Sequence, residues 1–256
     1  MKGVRNAVKF LRALGLDVPR AAQSVASLPR YVDGMLRYRR AAAPESAFPL
    51  DLATLHPMLA DFTDQAGNAS GQYFHQDLWA ARKIYLARPT RHLDIGSRID
   101  GFVAHLLTFM PVEVVDIRRL ESGVRDLTFL QADATNLARF GDGTRTSVSC
   151  LHAAEHFGLG RYGDAIDPDG WSKAMRALAR VVAPAGRLYF SVPVGRQRLA
   201  FNAHRIFAPE TVLREFEALS LQSFSYVDDR GDLCEDRTPS EAADLRNGCG
   251  LFEFMK

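Results

Sequence analysis

The sequence predicts an α/β chain, a doubly wound, seven-stranded, mostly parallel sheet behind a helical N-terminal extension, and three observations carry that expectation. After Pro89 short apolar runs alternate with helical stretches, the pattern of β-α-β units. The first of those runs feeds a glycine turn, Asp94-Ile-Gly96-Ser97-Arg98-Ile-Asp-Gly101, that opens a helical-looking stretch, Phe102–Phe109. The second run ends on a carboxylate, Asp116, 20 residues after Gly96.

The expected strands are His92–Ile95, Val112–Ile117, Thr128–Gln131, Thr146–Leu151 and Arg187–Val192, each apolar enough to be buried on both faces. Ser223–Val227 and Leu251–Met255 alternate instead, as an antiparallel pair that completes the seven. Helices are expected at Trp171–Val182, which stops before Pro184-Ala185-Gly186, and at Pro209–Leu219. Upstream, residues 1–40 and 50–86 look helical, separated by a proline-containing linker at 41–49 and interrupted at 67–71. The expected organisation is therefore a helical region over 1–88 and a catalytic domain over 89–256.

With 256 residues, 47% of them hydrophobic, the chain can bury a sizeable core. It holds no apolar run of the roughly 18 residues that a membrane-spanning helix needs. Cys150, Cys234 and Cys249 form neither an even disulfide set nor a zinc-type spacing, which points to a reducing, cytoplasmic setting. The net charge of +2 conceals a basic start, because residues 1–40 carry nine Lys or Arg against Asp17 and Asp33. Val4, Ala7, Val8, Leu11 and Leu14 fall at helical spacing among those charges. The segment is a solvated cap on this reading, with a membrane surface, an anionic partner or a second copy of the chain as candidate contacts. Neither a secretion signal nor the serine-rich pattern of a transit peptide is present in it.

Asp116 stands where a strand-end acid accepts hydrogen bonds from both ribose hydroxyls of a nucleoside, and Asp133, after Gln131-Ala132, where an acid can accept from an adenine amine. The order of glycine turn, acid after the second strand, Asp133-Ala134 after the third and Ala-Pro-Ala-Gly before the fifth resembles the class I S-adenosylmethionine-dependent methyltransferases, across roughly residues 90–256, a Rossmann-like fold. The resemblance implies S-adenosylmethionine as cofactor, with Asp94 and Gly96, and Ser97 beside them, at its methionine end, Asp116 at the ribose, and Asp133 with Ala134 at the adenine. The usual second glycine of the turn is Arg98 here, a residue able to pair with the cofactor's carboxylate.

Reaction chemistry is expected in the loops after the fourth and fifth strands. The run HAAEHFGLGRYGD, residues 152–164, packs two imidazoles, two carboxylates, Arg161 and Tyr162 among glycines. Together with SVPVGRQRLAFNAHR, residues 191–205, it resembles an uncharacterised bacterial methyltransferase-like family, DUF268. His156 is the expected base for a hydroxyl acceptor, oriented by Glu155 or Asp164, with His152 a second candidate. On a helix His152 and His156 would share one face, a metal-binding geometry, but no third ligand is specified and no metal is assigned. Arg161, Tyr162, Asn202, His204 and Arg205 are the expected acceptor contacts, with Arg196 and Arg198 facing the same cleft. The expected reaction is O-methylation of a small polar molecule such as a sugar. A non-catalytic nucleotide-binding protein and an NAD-dependent oxidoreductase are the other two readings, the latter disfavoured because no Tyr-x-x-x-Lys pair is found. Nucleic acid is not expected as a partner, since the basic residues cluster at the start without interleaved aromatics near the cleft.

Overall fold

The computed structural model describes residue 8 and residues 10–43, 45–62, 64–67 and 69–256. Two compact units divide the chain, Met1–Asn68 and Ala69–Lys256. The break thus falls ahead of the helix that begins at Gln72.

In the first unit, α1 (Val18–Ala41) begins where the Asp17 carboxylate accepts from the Arg20 amide at 3.2 Å, and it ends with Arg39 and Arg40 in its last turn, a placement that suits the helix dipole. It is not continuous with the helical residues before it, because Leu14–Asp17 turn at Gly15. Of the amphipathic set, Val4 and Ala7 lie outside the described residues. Of the helical stretch expected over 50–86 with its interruption at 67–71, the part after the interruption is the helix Gln72–Ala87, while the part before it is reduced, among the described residues, to one turn at Leu52–Thr54. Pro49, Pro57 and Gly67 break the backbone pattern there, and a few apolar residues without periodicity cannot restore it.

The second unit is built on an eight-stranded sheet in the order β3-β2-β1-β4-β5-β10-β8-β9. Its members are β1 (His92–Ile95), β2 (Val112–Asp116), β3 (Leu127–Gln131), β4 (Arg145–Leu151), β5 (Val182–Val194), β8 (Ser220–Val227), β9 (Leu233–Cys234) and β10 (Gly248–Met255). The β3-β2-β1-β4-β5 pairings are parallel and those of β10 with β5 and β8 antiparallel. The seven expected strands are all present, and β9 adds a two-residue edge too short to show a periodicity. A separate hairpin, β6 (Arg198–Ala200) with β7 (His204–Ile206), follows β5.

Both faces of the sheet are covered at its centre, so β1 and most of β4 are buried along their length, whereas β3 at the edge has no fully buried residue, short of the burial expected for it. On one face α2 (Gln72–Ala87) packs Trp79, Ala80, Ala81 and Ile84 with Phe102, Leu106, Val114 and Leu251. On the other, α4 (Gly170–Val181) and α5 (Pro209–Glu215) bring Met175, Leu178 and Val212 against Phe190, Phe216 and Phe252. Met175, Leu178 and Val212 lose all contact with solvent, a burial worth about 1.5–3 kcal/mol for each such side chain. After β1 the chain makes a wide turn at Ile99–Val103 and a short α3 (Ala104–Leu106), less helix than the expected Phe102–Phe109. The strand order reverses between β1 and β4, and a crevice opens there at the carboxyl ends of the parallel strands.

Candidate active site

A buried polar chain fixes the glycine turn. Ser149 donates to Asp94 at 2.5 Å, so its oxygen must accept from His92 Nε2 at 2.8 Å, and His92 Nδ1 in turn accepts from Ser147 at 2.7 Å. Burial holds His92 neutral, its pKa lowered to about 3. Asp94 also accepts from the Ser97 amide at 3.1 Å and the Ser97 hydroxyl at 2.5 Å, and Ser97 Oγ receives the Leu151 amide at 3.0 Å. Asp94 is fully buried, and desolvation pushes its carboxyl up to about 6 against those three donors. The expectation that Asp94 meets the cofactor is corrected here: its carboxylate points inward and ties the ends of β1 and β4 together. Gly96 (φ +70°) borders the crevice itself, and a Cβ on it would stand 3.0 Å from the Ala153 Cβ.

The crevice comprises two adjoining cavities, one of about 730 Å³ and one of about 110 Å³. Gly96, Asp116, Arg118, His152, His156 and Tyr162 border both. The smaller takes in Asp133, Ala134, Ile117 and Phe157, so Asp116 and the Asp133-Ala134 pair do meet at one slot. Asp133 also closes a local turn, accepting from the Thr135 amide at 2.8 Å. Arg118 occupies the Asp116 carboxylate through Nε at 3.0 Å and Nη2 at 2.7 Å, and stacks 4.4 Å from the Tyr162 ring centre. The larger cavity is bordered by Ser97, Arg98, Tyr73, Glu155, Arg161 and His204. Arg98 is half-exposed there, with Asp100 at 3.3 Å and the Tyr73 ring 4.9 Å away.

The loop after β4 brings together its expected acid and imidazoles but redistributes their roles. His152 does not sit on a helix with His156; it follows β4 with φ 50°, and its Nδ1 lies 2.5 Å from Gln76 Oε1. His156 Nδ1 is 2.7 Å from the Ala203 carbonyl, which can only accept, so that nitrogen carries the proton. Desolvation, helped by Arg161, lowers His156 to about 4, too weak to serve alone as a base near neutrality. Glu155 behaves oppositely. It is 1% exposed, its Oε2 has no partner among the described residues, and burial pushes its carboxyl up to about 8. Its Oε1 lies 3.5 Å from His156 Nε2, and the opposite shifts of the two groups leave the carboxyl protonated and the imidazole neutral near pH 7. Asp164 does not orient His156: it accepts from the amides of Gly158 at 2.8 Å, Gly160 at 3.2 Å and Tyr162 at 3.1 Å, stapling the loop.

Of the expected acceptor contacts, Arg161, Tyr162 and His204 border the larger cavity. Asn202 is exposed at the turn of the β6–β7 hairpin and borders neither cavity. Arg205 donates to the Phe157 carbonyl at 2.7 Å and so supports the loop from outside. Arg196 pairs with Asp244 at 3.1 Å, and Arg198 donates to the Arg196 and Arg246 carbonyls, away from the cleft. The β6–β7 pairing directs Arg198 and Asn202 to solvent and Arg205 onto the back of the loop, which an unstructured-loop reading of the segment does not anticipate. Sequence reasoning missed Tyr73, Gln76 and Arg118. Gln76-Asp77 left a signal, two polar residues on the inward face of an amphipathic helix.

A profile described as "Caenorhabditis protein of unknown function, DUF268" matches residues 120–238, the stretch from β3 through β9 that holds the Glu155–His156 loop but not the glycine turn. That description names Caenorhabditis, so it lends no support to a bacterial origin. No curated protein matches by sequence. Among solved structures, the Burkholderia thailandensis 1,6-didemethyltoxoflavin-N1-methyltransferase, with 1,6-didemethyltoxoflavin and S-adenosylhomocysteine bound, aligns at TM-score 0.51 and 17% identity over 77% of this chain and 80% of its own. The N-methyltransferase NodS of Bradyrhizobium japonicum WM9, in complex with S-adenosylhomocysteine, aligns at TM-score 0.51 and 14% identity over 73% of this chain and 88% of that one. The fold is that of the class I methyltransferases. The [4+2]-cyclase SpnF aligns at TM-score 0.54 and 14% identity over 75% of this chain and 85% of its own, so a likeness of fold does not by itself fix the reaction. Among the described residues no helix is long and apolar enough to cross a membrane.

Proposed function

We propose that this protein transfers a methyl group from S-adenosylmethionine to a hydroxyl of a small polar acceptor, a sugar or related metabolite. The observation that carries the proposal is the pair of adjoining cavities with Glu155 on the wall of the larger one, a buried acid whose raised pKa suits proton removal near neutrality.

The residues present fit the cofactor. The smaller cavity offers an apolar slot between Ile117 and Phe157 with Asp133 at its edge, and Gly96, where a Cβ would crowd Ala153, lets the backbone border both cavities. Asp116 would take the ribose hydroxyls, Asp133 and Ala134 the adenine edge, and Ser97 with Arg98 the amino-acid end. When bound, the cofactor supplies an electrophilic methyl group on a sulfonium. The chain's own contribution is positioning and proton transfer. Tyr162 and Arg161 border the cleft beside Glu155, and the Glu155–His156 pair, once ionised, accepts the hydroxyl proton at a Glu155 oxygen while His156 keeps its Nδ1–H on Ala203.

Calorimetry tests the cofactor: S-adenosylhomocysteine is expected to bind and NAD is not, and the reverse result would replace this reading by an oxidoreductase. Binding of neither would leave a fold kept for another purpose. Asp116→Ala removes charge-assisted hydrogen bonds worth about 1.5–3 kcal/mol, and because the free protein's Arg118–Asp116 pair offsets part of that, the Kd for S-adenosylhomocysteine should rise by up to roughly 10- to 150-fold. An unaltered Kd would rule out the ribose assignment. The acceptor is then sought by screening metabolites and nucleotide sugars with labelled cofactor.

A further inference from the structure

On the inward face of α2, Gln76 and Asp77 are 1% and 5% exposed, polar groups sunk where the helix otherwise packs Trp79, Ala80 and Ile84. Gln76 Nε2 donates to Asp77 Oδ1 at 3.1 Å, and that bond sets which way the amide points. Its oxygen is thereby turned toward β4 and β5, where it accepts from the Ser191 hydroxyl at 2.5 Å and faces His152 Nδ1 at 2.5 Å. An amide oxygen has no proton to give, so Nδ1 must carry the hydrogen of that contact.

The rest of the ring's surroundings enforce the same arrangement. The His152 amide donates to Ser191, to its carbonyl oxygen at 3.0 Å and its hydroxyl at 3.1 Å, which anchors the backbone against β5. Cys249 Sγ backs the Gln76–His152 contact at 3.6 Å from Nδ1, and the Tyr73 ring covers the imidazole with centroids 5.1 Å apart. Nε2 has no partner among the described residues, while His152 borders both cavities.

We propose that Gln76, oriented by Asp77, is a positioning residue that holds His152 as the Nδ1–H tautomer, so that a bare Nε2 is presented at the seam of the two cavities as a hydrogen-bond acceptor for an O–H or N–H group of a bound ligand. The proposal rests on the crevice being a ligand site and is independent of which group is transferred there. Desolvation, with His156 and His204 nearby, keeps the ring neutral by lowering it to about 3, so it accepts a hydrogen bond and does not store a proton. This separates its task from that of Glu155.

Ring nitrogen NMR on the full-length, nitrogen-labelled chain near neutral pH reads the tautomer without any ligand or turnover, with His152 identified by the signal missing from His152→Asn. A protonated Nδ1 with an unprotonated Nε2 is expected in the wild type. Gln76→Leu should shift the population toward Nε2–H, and Gln76→Glu, which keeps an oxygen at that place, should restore Nδ1–H. A wild-type ring that is Nε2–H or cationic, or a tautomer ratio unmoved in Gln76→Leu, would overturn the assignment. The wild-type spectrum decides even where a variant does not fold. Reachability of Nε2 is read by carbethoxylation and mass spectrometry: His152 is expected to react, as exposed His56 does, while His92, bonded at both nitrogens, is spared. An unmodified His152 beside a fully modified His56 would also overturn it, and neither result depends on whether S-adenosylmethionine is the cofactor.

Discussion

Glu155→Gln is expected to abolish methyl transfer, by roughly 100-fold or more, while leaving the affinity for S-adenosylhomocysteine unchanged. It is also expected to make the protein more stable, and increasingly so as the pH rises. The sign follows from burial. In the unfolded chain the Glu155 carboxyl ionises near its ordinary value of 4.5, whereas in the folded protein it holds its proton up to about pH 8. Below both values the two states bind the same proton and the group is neutral to stability. Between them the unfolded state gains charge that the folded state withholds, so the wild type loses about 1.4 kcal/mol per pH unit relative to the glutamine variant. Above about 8 the full penalty is present and the difference levels off. Urea midpoints of the two proteins between about pH 5 and about pH 8 check this; parallel curves would mean that Glu155 ionises normally and is not the proton acceptor. In the wild type, turnover should rise with pH through about 8, because the ionised pair is the active form.

Gly158→Ala is expected to destabilise the protein by about 2–6 kcal/mol and to disorganise the cleft. Gly158 has φ +77°, and a Cβ there would stand 1.9 Å from the Asp167 carbonyl oxygen, a backbone atom that cannot rotate away. The same residue receives the Asp167 amide at 3.0 Å and donates to Asp164 at 2.8 Å, so it joins both ends of the loop that carries Arg161 and Tyr162. Gly163→Ala is the control. Its φ is +85° but nothing lies within 4 Å of the added carbon, and only the dihedral cost of about 1–3 kcal/mol remains. Equal losses for the two variants would show that the Gly158–Asp167 crossing does not hold the loop.

The fold was legible in the sequence because the central parallel strands are largely buried, and short apolar-rich stretches such as Val112–Asp116, repeated between helical ones, have no other easy home. Once those strands are in register, their ends fix the positions of Gly96, Asp116 and Asp133, and all three border the smaller cavity. Direction was not legible. Asp94 near the end of β1 and Asp116 at the end of β2 look alike in sequence, yet the hydroxyls of Ser97 and Ser149 turn the first carboxylate into the core, and Ser149 is brought there only by the pairing of β1 with β4. Desolvation was not legible either: adjacent Glu155 and His156 invite an acid orienting a base, whereas burial moves the proton onto the acid. Arg205 and Asn202 were misread because a three-residue hairpin decides which way they face. Gln76, contributed by a helix that precedes the glycine turn, lies 76 residues from His152, and only the packing of α2 on the sheet brings them together.

The bridge from Arg118 to Asp116 means that a ligand does not arrive at a bare carboxylate but exchanges places with a guanidinium. The gain on binding is the difference between two partnerships, one ionic and half-exposed, the other with uncharged hydroxyls. Dissolved salt weakens the first far more than the second. Affinity for a nucleoside at this position should therefore hold steady or improve as ionic strength rises, opposite to the trend for a phosphate drawn into a free arginine cleft, and a salt series of calorimetric Kd values reads the sign directly.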